Sequence, residues 1–135
     1  MSSEYNLEHE YVRSELRERF QDVELKLNYV KEQFRLARLT SRELQKNLRE
    51  RLTRRIDTVE QRQKAMIEKL ARFHSDDDAV WGGLRKECER EWNTLTDILE
   101  VVQHDIRYAE DTARLPPYLK PEDTLERDYS VSGRI

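Results

Sequence analysis

Residues 16–37 read LRERFQDVELKLNYVKEQFRLA, and the apolar side chains Leu16, Phe20, Val23, Leu27, Val30, Phe34 and Ala37 recur at alternating steps of four and three. An α-helix turns once every 3.6 residues, so this spacing gathers them on one stripe and leaves the remaining faces charged. The stretch reads as a coiled-coil seam. Its phase carries through Leu44 and Leu48, takes a 4-4 step through Leu52 and Ile56, and resumes at Val59, Gln63, Met66, Leu70 and Phe73. Such a step is a stutter, which locally unwinds a supercoil without ending a helix.

A break follows at His74-Ser75-Asp76-Asp77-Asp78, where Ser or Asp caps a new helix and the acidic charges suit its positive end. The next helix carries Trp81, Leu84, Cys88, Trp92, Leu95, Leu99, Val102, Ile106, Ala109 and Ala113 at steps of three and four. Gly82-Gly83 weakens its first turn, so the helix is expected either to start at Leu84 or to use the glycines for close approach at a hairpin tip. Trp81 and Trp92 share one face and are assigned to packing there, with Phe73 opposite. Leu115-Pro116-Pro117 ends the helix, because proline has no amide to donate and turns its predecessor away from helix. The chain divides into a helical region, 1–114, and an extended tail, 115–135.

Residues Thr40-Ser41-Arg42-Glu43 form a capping box, with Leu39 and Leu44 placed as its hydrophobic staple, and would start a new helix there. Against a break stands the unbroken seam, and no Gly or Pro occurs before Gly82. The favoured expectation is therefore one helix from about Tyr5 to Phe73, on the order of 100 Å long. The fold class is all-α: an elongated antiparallel hairpin of one long helix and a shorter return helix. The alternative is a three-helix bundle broken near Thr40, similar in outline to spectrin-like repeats, which would dock partners on its outer faces.

Composition supports helices over a thick globular core, with 36% hydrophobic and 39% charged residues and only six Gly or Pro in 135. The strict periodicity and a net charge of only −3 separate the chain from disordered sequences. No apolar run approaches the ~20 residues a membrane span needs, no secretory signal opens the chain, and the lone Cys88 has no disulfide partner. The expected compartment is cytoplasmic. Charge is uneven along the chain: residues 1–34, 35–55, 56–75 and 76–135 carry −3, +6, +1 and −7. Folding the last helix back on Leu44 to Phe73 brings acid beside base, which favours that pairing.

A second stripe lies on the first helix, at Leu25, Tyr29, Leu36 and Leu39, in heptad positions c and f when Val23 is d. Those positions face away from the main seam, so this stretch is expected to be packed on two sides. In the hairpin, the seam Leu16, Phe20, Val23, Leu27, Val30 and Phe34 also lacks a long neighbour in its own chain. Both stripes are accordingly assigned to protein partners, with a homodimer favoured; the alternative for the second stripe is cover by the chain's own last helix or by Leu119, Leu125 and Tyr129 of the tail.

The basic residues Arg38, Arg42, Arg49, Arg51, Arg54 and Arg55 form a candidate anion-binding set for a membrane surface or nucleic acid, and a solvated helix face is the plainer reading. His74 with Asp76, Asp77 and Asp78 lacks the Gly and terminal Glu of a calcium loop, so capping is the expectation there. No catalytic constellation, cofactor motif or metal-ligand spacing is found, so no cofactor is expected and the chain is read as a non-enzyme. In the tail, Leu115-Pro116-Pro117-Tyr118 resembles the Leu-Pro-x-Tyr peptides bound by WW domains, with a plain helix stop as the alternative. The functional expectation is a self-associating structural or adaptor protein of an intracellular assembly, such as a cytoskeletal one.

Overall fold

A computed structural model describes residues 7–40 and 46–113. They form three helices and no strand: α1 spans Leu7–Thr40, α2 spans Lys46–Arg72 and α3 spans Asp78–Ala113. Each helix packs against both others. The fold is an all-α bundle.

Side-chain partners fix the directions. Along α1, Arg13 reaches the carbonyl oxygens of Leu70 and Phe73, Gln63 reaches that of Phe20, and Lys31 meets Glu60, so α2 runs antiparallel to α1. His9 meets Asp78, Glu15 meets Arg85 and Gln33 meets Gln103, at sequence offsets of 69, 70 and 70, so α3 runs parallel to α1. The acidic return helix lies against the basic one as its charge predicts, through Arg55–Asp105, Arg62–Glu91 and Lys69–Glu87. The path is up, down, up.

The continuous helix from Tyr5 to Phe73 is not formed. Its seam is cut at Thr40, and α1 and α2 fold onto each other. Physically, a continuous rod would leave the stripe from Leu16 to Ala37 in water, whereas the break lets three stripes share one core. The missing Gly and Pro were a poor guide, because helix–helix connections of a few residues are common without them. The rest of the capping box, Ser41, Arg42 and Glu43, lies outside the described residues.

Every described seam position is used. Leu16, Phe20, Val23, Leu27 and Val30 are 3% exposed or less, and Phe34 is 7% exposed. They join Leu48, Leu52, Ile56, Val59, Met66 and Leu70 of α2 and Leu84, Cys88, Leu95, Leu99, Val102 and Ile106 of α3 in a single core. The assignment of Leu16, Phe20, Val23, Leu27, Val30 and Phe34 to an outside partner is corrected accordingly: α2 and α3 cover them. Gln63, at a seam position of α2, is buried and donates its side-chain amide to the Phe20 carbonyl at 3.1 Å. A buried amide so satisfied favours one vertical register of α1 against α2.

Asp77 is the N-cap of α3: its carboxylate accepts the Ala79 amide at 2.8 Å, and its carbonyl accepts the amides of Val80 and Trp81. The helix then runs straight through Gly82 and Gly83. A Cβ at either glycine would meet nothing within 4 Å, so neither serves close approach. No helix among the described residues is long and apolar enough to cross a membrane.

Candidate protein-docking face

The bundle core consumes positions a and d of α1 and leaves b, c and f pointing outward. On that outward side Leu25 is 69% exposed, Tyr29 60%, Leu36 44% and Leu39 69%. Tyr11 and Leu7 extend the exposed apolar series toward the helix start. All four residues of the second stripe thus lie together on one face. Among the described residues α2 exposes no large hydrophobic side chain, and α3 exposes only Val80, Val101 and Tyr108. α1 is the two-sided helix of the three.

Charges divide this helix. Residues 7–24 carry six acidic and three basic groups, residues 25–40 one acidic and four basic, so its halves stand at −3 and +3. Several of these charges are turned to the other helices, as in Arg19–Glu89, Lys26–Glu100 and Lys31–Glu60. The Lys31 ammonium holds the Glu60 carboxyl below its ordinary value of 4.5. Within the outward patch, Arg35 donates to Glu32 at 3.1 Å from Nε, and this lowers the Glu32 pKa.

The five described arginines of the anion-binding set divide between two grooves, with Arg54 lining both. Arg38, Arg49 and Arg54 line a groove of about 430 Å³ with Lys46 and Glu50, at the end of the bundle where α1 stops and α2 begins. Arg38 also lies over the Phe34 ring, 5.6 Å from its centroid. Arg51 and Arg55 turn to the α2–α3 groove, and Arg55 donates to the buried carboxylate of Asp105 at 3.0 Å. Arg42 lies outside the described residues. So do Leu115, Pro116 and Tyr118 of the tail motif.

At the opposite end is a cluster that the sequence reading missed. His9 and Arg13 are 7% and 9% exposed. His9 stacks on Trp81, with ring centroids 4.7 Å apart, and donates from Nε2 to Asp78 at 2.6 Å. The Arg13 guanidinium lies over the same indole and donates to the carbonyls of Leu70 and Phe73, the latter at 2.8 Å. Helix C-termini present carbonyls without intrahelical donors, and here a cation from a neighbouring helix supplies them. Trp81 donates its indole N–H to the Ser75 carbonyl at 2.7 Å and meets Phe73 edge-on. Stepping the seam back from Leu16 by three and then four lands on Arg13 and His9. That phase was the available signal.

This cluster ties the α2–α3 corner to α1. Trp81 packs there with Phe73 as expected, while Trp92 is only partly buried, beneath Arg19. Cys88 is buried, and burial pushes its thiol up to about 11, away from nucleophilic use. Among the described residues no group of three His, Cys, Asp or Glu side chains is placed to hold a metal ion. No family model matches the chain, and no curated protein or solved structure matches it.

Proposed function

We propose that this protein is a non-enzymatic structural or adaptor protein that self-associates and binds protein partners through outward helix faces, within an intracellular assembly such as a cytoskeletal one. The observation that supports this most is the contrast between helices. α2 sends its apolar residues inward, whereas α1 fills its seam and also exposes Leu25, Tyr29 and Leu39 on the far side. A helix that only had to fold needs one apolar stripe; a second, gathered stripe on a solvent face is the mark of an association surface. The seam from Leu16 to Phe34 contributes indirectly, by holding that face straight.

The test replaces Leu25, Tyr29 and Leu39 together by Ser. These side chains lie outside the core, so the circular dichroism and melting of the bundle should change little. Light scattering should show an assembly for the native chain and a monomer for the variant. An assembly of unchanged mass in the variant would remove the outward face from the function.

One observation favours a second reading. Arg38, Lys46, Arg49 and Arg54 have no ion-pair partner among the described residues and share one groove. An anionic membrane surface or nucleic acid would find there four cations against one carboxylate, Glu50, and its binding would fall steeply with salt. Tight vesicle or nucleic-acid binding at physiological salt, lost when Arg38, Arg49 and Arg54 become Glu while the assembly survives, would establish this reading instead.

A further inference from the structure

We infer that the acidic run of the C-terminal tail, Glu122 to Asp128, docks within its own chain in the basic groove between α1 and α2. Residues 122–128 carry four acidic side chains and one basic one. The groove sets Arg38, Lys46, Arg49 and Arg54, all exposed, against the single carboxylate of Glu50. A charge of −3 thus faces one of +3, and the junction 41–45 leaves that balance alone because Arg42 and Glu43 cancel. Further along, the groove passes over Phe34 and Ile56 to Lys31 and Arg35, which Glu60 and Glu32 already hold.

Position selects the tail as the occupant. Asp105 meets Arg55 across an antiparallel pair of helices, so Ala113, eight residues on from Asp105, lies level with Asn47, eight residues back from Arg55. The chain therefore leaves α3 at the end of the bundle where the groove lies. Glu122 follows Ala113 by nine residues, a reach of up to ~30 Å at about 3.3–3.6 Å per residue, whereas packed helices stand only ~8–10 Å apart. Pro116, Pro117 and Pro121 in this connection lack the amide that would continue a helix. The last turn of α3 offers no basic side chain and carries Glu110 and Asp111, so it repels the acidic run.

The α2–α3 groove is the poorer match. Asp97 lines it, and Asp105 already holds Arg55. In the α1–α2 groove, by contrast, Leu39 is 69% exposed and stands ready to meet Leu125, which has carboxylates on both sides in the run. Exposed ion pairs are weak one by one, so a free acidic peptide would hold poorly here. A short tether raises the effective concentration of the tail to about millimolar, which lets several weak contacts act together. A membrane surface or nucleic acid would then have to displace the tail to reach these cations.

Zero-length cross-linking with a carbodiimide tests the docking, because the reagent joins a carboxylate to an amine only where the two touch. In the full chain, Lys46 should couple to a carboxylate of residues 122–128. The Lys64–Glu60 pair, 3.4 Å apart, verifies that the reagent has acted. In a mixture of isotope-labelled and unlabelled chains, each linked pair of peptides should carry one isotope only. The triple variant Arg38→Gln, Arg49→Gln and Arg54→Gln keeps Lys46 and alters only exposed side chains. It should melt as the native chain does and give several-fold less of the Lys46–tail product. Tail carboxylates that couple to Lys64, Lys69 or Lys86 as readily as to Lys46 overturn the docking, as does a yield unchanged in the triple variant. Isotopically mixed pairs overturn it in favour of a second copy, and the absence of any tail product with Lys46 overturns it outright.

Discussion

Arg13 illustrates how one charged side chain can be structural. Its guanidinium reaches two carbonyls at the end of α2 and lies against Trp81. Charge-assisted bonds to otherwise unsatisfied carbonyls contribute more than neutral ones, so Arg13→Ala should cost on the order of 2–3 kcal/mol. Arg13→Lys should recover only part of that, because a single ammonium cannot fork to both oxygens. Urea denaturation of the three proteins measures it. Glu60 gives a second residue-scale expectation, with a sign set by its lowered pKa. A depressed carboxylate contributes stability that is fully present above its unfolded value of 4.5 and is lost as pH falls through the lower native value. Denaturation midpoints followed from pH 7 to pH 3 should decline in that acidic window, and Glu60→Gln should flatten part of the decline. Of these residues the sequence made little visible. Arg13 and His9 are polar types at seam positions, and hydropathy hides them until the helix phase is extended backwards.

At the scale of elements, periodicity carried the most information. Each described seam residue of α2 from Leu48 to Leu70 is buried as its spacing requires, and so are the seam residues of α3 from Leu84 to Ala109, apart from the partly buried Trp92. The junction was harder to read because the seam phase passes through Thr40 undisturbed. Phase states which side of a helix is apolar and is silent on whether the helix continues. Only the cap signal at Thr40 pointed to the break, and it competed with the absence of glycine. Gly82 and Gly83 misled in the opposite sense, since α3 runs through them under the cap supplied by Asp77. They lie in a helix with open space at Cβ. Gly82→Ala and Gly83→Ala should each stabilise the bundle by up to about 1 kcal/mol, read as a higher melting temperature. Lower stability in both variants would mean that the turn needs the freedom of glycine.

For the whole molecule, the break at Thr40 changes what the second stripe means. In a long hairpin both faces of α1 would need outside company. In the bundle its seam is covered by α2 and α3, and the gathered exposed apolar side chains are those on the side bearing Leu25, Tyr29 and Leu39. That stripe was legible because c and f positions in a single-seam helix should be polar, and these are not. Periodicity reports an apolar face and says nothing of whether anything lies against it. The most direct measurement is sedimentation equilibrium of the full chain over a hundredfold range of concentration. Mass should rise from that of one chain toward that of two, with a variant carrying Ser at 25, 29 and 39 remaining at one. A native chain that keeps the mass of a single molecule across the whole range would contradict the account.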